Sequence, residues 1–172
     1  MTIGPEGYHD TEGKGKSADG GGKNEISRKE KRIRAFEDSI PLIDQIEFSY
    51  GGFLYGYEKR KIIISEENVS LHVDYIWQFS KDQKPFVRDF PGMKKYFLEA
   101  FESLHIGKWE DHYLNYQVLD GDSWDLAISF SKGHRVVKKS GSNAYPDNFD
   151  EFYDLMKLEE NDDFLEAYYE QN

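Results

Sequence analysis

The sequence has no cysteine. Disulfides and thiolate metal sites are therefore excluded, and a reducing cytoplasm is the expected setting. No apolar run approaches the ~20 residues that a spanning helix needs. The first residues, MTIGPEGYHDTEGKG, lack the basic-then-apolar order of a secretory signal. Several chemistries lack their residues too. No helix carrying Lys-Ser/Thr follows Gly51-Gly52 or Gly56, so no phosphate-binding loop is expected. Those glycines instead suit a bulge or a close backbone approach. There is no Gly-x-Ser-x-Gly elbow and no His-Glu-x-x-His pair. Asp120, Asp122 and Asp125 resemble the start of a calcium loop, but Ser131 stands where its closing glutamate belongs. A polar turn is expected there, with no metal and no cofactor.

Aromatic residues are abundant, at 12 Tyr, 12 Phe and 3 Trp in 172 residues. Each buries a large area, so one domain with a real core is expected. The net charge of −11 is unevenly spread. Residues 1–34 carry eight Lys/Arg against six Asp/Glu, whereas 147–172 carry ten acids and only Lys157. Such a chain repels free nucleic acid and attracts basic surfaces. Its ordinary consequence is solubility. Its further consequence is an ability to compete for a basic groove.

Residues 1–26 are rich in Gly and Lys and almost free of large apolar residues, which predicts a disordered arm. Ser27 and Glu30 form a capping-box pattern that opens a basic helix over 27–40. Arg28, Lys31 and Arg32 on that helix are candidate contacts to RNA or to an acidic partner. An α+β core is expected over 41–160, with an acidic helix or tail at 161–172. Because strands begin only after Pro41, deletion of 1–40 is expected to leave a core that folds.

Within the core, Ile46, Phe48 and Tyr50 alternate up to Gly51-Gly52, and Phe53–Ser65 reads as the next strand. Val69 to Phe79 gives six apolar residues at period two. A helix is expected at 91–104 and a short second one through Trp109 to Tyr116. Trp124, Leu126, Ile128 and Phe130 make another strand, and Lys132-Gly133 turns it back into 135–140. Helices follow at about 148–157 and 161–170. The expected fold is an antiparallel sheet of about five strands, with helices on one face and the other partly open.

Acid–base cleavage of RNA needs several titratable groups at one phosphate. His72, His134 and Lys138 lie on predicted strands and are the candidates, with Asp120 or Asp122 as the carboxylate. Asn143, Tyr145, Asp147, Asp150, Glu151 and Asp154 are candidate partner contacts, from the loop after the last strand and the acidic helix behind it. The loop also has a structural explanation. Gly141 permits an unusual φ, Asn143 suits a turn, Pro146 holds Tyr145 extended, and Asn148 with Glu151 suits a helix cap.

Three blocks, FSYGGFLYG (48–56), VLDGDSWDLAISF (118–130) and SGSNAYPDNFDEF (140–152), resemble a family of small bacterial proteins found on chromosomes and mobile elements. The likeness covers about 45–157 and assigns no catalytic residue. In character the chain also resembles type II anti-CRISPR proteins, some of which act on Cas9 or its guide RNA. That resemblance implies a cytoplasmic protein of a bacterial host that inhibits a defence nuclease, with Cas9 or the Cas9–guide RNA complex as partner. A guide-RNA-trimming ribonuclease and a toxin-neutralising immunity protein are the alternatives.

Overall fold

The computed structural model describes residues 26–76, 82–133 and 135–172. The expected arm at 1–26 lies outside them except for Ile26, as do His134 and the 77–79 end of the long predicted strand. Ser27 opens α1 (Arg28–Ser39) with the expected reciprocal cap: its hydroxyl accepts from the Glu30 amide at 3.1 Å, and its amide donates to the Glu30 carboxylate at 2.8 Å. Four consecutive strands follow, β1 (Ile43–Gly52), β2 (Gly56–Ser65), β3 (Asn68–Ile76) and β4 (Phe86–Phe90). Then come α2 (Lys94–Ser103), β5 (His112–Leu114), β6 (Asp122–Phe130), β7 (Val137–Ser142), α3 (Phe149–Met156) and α4 (Asp162–Gln171).

The fold is α+β, as expected, but its single sheet has seven strands in the order β4-β3-β2-β1-β6-β7-β5. All pairs are antiparallel except β5 with β7, which run parallel. Two strands were not expected. Phe86–Phe90 is a five-residue segment between Pro85 and Pro91, too short for its alternation to stand out. The helix expected through Trp109 to Tyr116 is instead a 3-10 turn, Ile106–Lys108, followed by β5. The turn begins where His105 takes a left-handed conformation (φ 51°) after α2 and ends that helix.

The odd or even position of each strand residue decides its layer. Ile46, Phe48, Ile62, Ile64, Val69, Leu71, Val73, Trp124, Leu126 and Ile128 point to the helices and are buried. The helices complete that layer with Phe97, Phe101, Phe149, Phe152, Met156 and Phe164. Basic α1 belongs to the same core. Phe36 is buried, packs edge-on against Phe130 at 6.2 Å, and closes over Gly107. Ile40 is also buried. The buried side of α1 thus packs onto the core expected over 41–160.

Two buried cations tie the sheet to segments packed against it, Arg60 to the end of α3 and Lys139 to the loop before β5. Arg60, 4% exposed, is paired with Glu58 on its own strand and donates to Glu159 at 2.8 Å and to the Met156 carbonyl at 3.3 Å. Lys139 reaches the Trp109 carbonyl at 2.7 Å and Asp111 at 3.3 Å. Burial holds its ammonium pKa below the ordinary lysine value, against the opposing pull of Asp111.

Candidate functional site

Three surfaces hold the residues singled out by sequence. The first is the loop after β7. Gly141 lies directly across from Trp124 in the β6–β7 register. A Cβ there would stand 2.1 Å from the Trp124 indole nitrogen and 2.5 Å from the Ala144 carbonyl. That carbonyl accepts from the same indole N–H at 3.0 Å. Asn143 is left-handed (φ 53°), and its amide donates to the Asp122 carbonyl at 2.9 Å. The Tyr145 ring packs on Phe149 at 4.8 Å, and its hydroxyl is hydrogen-bonded to Tyr50. The loop is thus a clasp around a buried tryptophan. Asn148 differs from expectation, for it caps nothing through its side chain. Its carbonyl oxygen instead accepts from Trp109 Nε1 at 2.8 Å, and its amide donates to the Leu104 carbonyl at 2.8 Å.

The open sheet face forms the second surface, a cleft of about 970 Å³. Register lays out its floor. One row runs Val87, His72, Lys61, Glu47, Ala127, Lys138, and the next runs Asp74, Lys59, Ser49, Asp125, Ser140, His112. His72 and Lys138 therefore share a row but stand four strand spacings apart, roughly 19 Å along the sheet. His72 is bonded to Ser70 at 3.1 Å, and His112 to Ser140 at 2.9 Å. Asp122 does not join them. It lies on the helix side with Trp124, where it accepts from the Tyr50 hydroxyl at 2.9 Å. Burial, and then that bond, raise the Tyr50 pKa well above the usual tyrosine value. The carboxylates that do share the open face with His72 and Lys138 are Glu47, Asp74, Asp125 and Asp89, the last accepting from the Ser70 hydroxyl at 2.6 Å. Charges of both signs alternate there, and Lys61 stands 3.5 Å from Glu47. No group of three or more His, Asp or Glu able to hold a metal occurs among the described residues.

The third surface is charged and helical. Asp147, Asp150, Glu151 and Asp154 are exposed along the start and outer side of α3. Glu160, Asp162, Asp163, Glu166 and Glu170 continue the series through α4. Of these nine, only Asp154 makes an ion pair among the described residues, with Lys157 at 3.3 Å. The basic helix is partly neutralised by contrast. Lys29 meets Glu110 at 2.7 Å and Arg32 meets Asp111 at 3.5 Å, which leaves Arg28, Lys31 and Arg34 exposed and outside these pairs.

Sequence reasoning passed over the hairpin tip, Phe53-Leu54-Tyr55, which it assigned to a strand. These residues form the β1–β2 turn and stand in solvent. The signal was present as three glycines bracketing three apolar residues in a turn. No helix among the described residues is long and apolar enough to cross a membrane. Comparison with protein-family models and with curated proteins gives no match to this chain.

Proposed function

We propose that the protein acts by binding, as an inhibitor that occupies the basic, nucleic-acid-holding surface of a bacterial defence nuclease, with guide-loaded Cas9 as the leading partner. The observation that carries this reading is the α3–α4 surface. Eight exposed carboxylates outside any ion pair among the described residues give it a dense negative charge. A surface of that kind is attracted to the positively charged channel in which Cas9 holds its heteroduplex. Asp147, Asp150, Glu151 and Asp154 supply the contact, with Asn143 and Tyr145 beside them. Arg28, Lys31 and Arg32 lie on α1, where they meet exposed RNA or an acidic patch of the same partner.

Purified protein added to guided DNA cleavage is expected to reduce it, and binding to guide-loaded Cas9 is expected to weaken as salt rises from 0.1 to 0.5 M. Reversing the charge at Asp150, Glu151 and Asp154 is expected to abolish inhibition without altering the fold. Unimpaired cleavage and no binding at low salt would refute the reading.

Guide trimming is favoured by one feature, the histidines and lysines that line the open face. Their separation argues against a shared phosphate. Labelled guide RNA incubated with the protein distinguishes the two readings. Intact RNA leaves binding, while cut RNA that survives loss of inhibition by charge reversal moves the activity to the open face, where His72→Ala is the next test.

A further inference from the structure

The end of the sheet where β1 turns into β2 carries an apolar knuckle that folding does not require. Phe53 is 76% exposed, Leu54 73% and Tyr55 54%. Turns of this kind are usually built from Gly, Asn, Asp, Ser or Pro. Here glycines do the turning. A Cβ on Gly51 would stand 2.1 Å from the Gly56 carbonyl, and Gly56 itself has a φ of 90°. The backbone closes on its three glycines, and the three residues between them are free to be anything soluble.

A second loop reaches the same end. Residues 115–121 lead into β6, and Leu119 is 96% exposed and Tyr116 84%. The two loops approach each other over Gly52. A Cβ there would stand 3.1 Å from each of the Tyr55 ring, the Gly121 carbonyl and the Asp122 carboxylate. Aromatic side chains carry about 150–250 Å² each, so the three exposed rings alone leave roughly 400 Å² open. With the two leucines the patch reaches the upper part of the ~300–600 Å² found for the largest patch of a typical monomer, a size often functional.

Charge around the patch selects its occupant. Residues 109–131 hold five acids and no Lys or Arg. Residues 50–58 likewise contain no Lys or Arg. Asp120 and Asp122 border the second loop. The Asp122 carboxylate is bonded to Tyr50, which is bonded in turn to Tyr145, two residues before Asp147 and the acidic start of α3. Aromatic and leucine side chains at the centre with charge at the rim is the usual anatomy of a protein interface. A second copy of this chain would set these carboxylates against their own kind.

We infer that Phe53, Leu54, Tyr55, Tyr116 and Leu119 insert as one anchor into an apolar pocket rimmed by Lys or Arg on a partner protein, while the neighbouring acidic residues meet that rim. This rests on the binding reading above and gives it a contact face. The knuckle supplies the buried, energetically dominant centre and the acidic helix supplies attraction.

The test uses the full chain and guide-loaded Cas9 as the probe. Phe53→Ser with Leu54→Ser, and Leu119→Ser separately, are compared with Val87→Ser, an exposed apolar residue away from the knuckle. All should melt like the wild type, since none removes a core contact. The knuckle variants are expected to bind at least ~30-fold more weakly, in line with loss of hot-spot residues, and Val87→Ser unchanged. Wild-type binding that all variants retain would overturn the knuckle alone and leave the inhibitor reading standing. Absence of wild-type binding would overturn both. A wild-type dimer in sedimentation that Leu54→Ser dissociates would assign the patch to a second copy and overturn the hetero-partner inference.

Discussion

At Gly141 one missing methyl decides the fit of a whole loop. The Trp124 indole and the Ala144 carbonyl already occupy the space a Cβ would take. Gly141→Ala is expected to cost about 3 kcal/mol by urea unfolding, the upper end for overpacking a filled site. Gly133→Ala serves as a contrast. A Cβ there meets nothing, and only its positive φ is strained, so ~1 kcal/mol is expected. The tyrosines give a second residue-scale prediction. Burial raises the pKa of Tyr153 to about 12, and those of Tyr50, Tyr75, Tyr96 and Tyr145 also lie above the ordinary value near 10. A raised folded pKa means that the unfolded chain loses its protons first. Stability from these groups is therefore complete below pH 10 and falls as pH rises toward 12. Lys139 works in the opposite direction, its lowered pKa relieving a charge-burial cost as pH climbs, but it is one group against five. Urea midpoints from pH 8 to 11 should fall, and absorbance at 295 nm should show a late-titrating tyrosine fraction. The motif around Gly141 was legible in sequence as turn chemistry. Its partner Trp124 was not, because only the β6–β7 register sets them face to face.

Among elements, the long ones were readable and the short ones were not. β3 and β6 carry four alternating apolar residues each, β1 carries three, and β2 shows as the β-branched run Ile62-Ile63-Ile64, so these strands emerge from sequence alone. β5 has three residues, and its sheet neighbour among the described residues is β7. Nothing local marks it as a strand, since what makes it one is a partner that comes later in the chain. The same limit applied to the candidate site. Lys138 and His72 were correctly placed on strands, but the number of strands between them is a property of the sheet. Arg60 is the junction where element packing is most exposed to damage. Arg60→Ala strands Glu58 and Glu159 beside the core and is expected to cost about 3 kcal/mol, as removal of one partner from a buried pair does. Arg60→Met with Glu58→Leu and Glu159→Leu should recover much of it. A triple variant no more stable than the single one would show that the arginine is needed for more than charge balance.

For the molecule as a whole, α1 is the element whose role changed most. Its basic side invited a functional reading, while its other side, Phe36 and Ile40, closes the core over Gly107 and Phe130. Residues 1–25 are rich in glycine and almost free of large apolar side chains, so their removal is expected to leave the melting temperature within a few degrees. Removing 1–40 deletes two buried apolar side chains, each worth about 2–5 kcal/mol when truncated, and is expected to yield a chain that no longer unfolds cooperatively. Thermal melts of the two truncations decide this. The position of β1 has a consequence of another sort. Gln45 pairs with Ile63 through a neighbouring hairpin and with Ser129 across about half of the chain. As the polypeptide leaves the ribosome, β1 to β4 can form a meander from local contacts alone. The second edge of β1 then stays unpaired until β6 has been synthesised, and an unpaired edge invites association with other chains. The half-made protein is thus the form expected to need a chaperone most, and the arrival of β6 beside a strand that was made much earlier is expected to be slow.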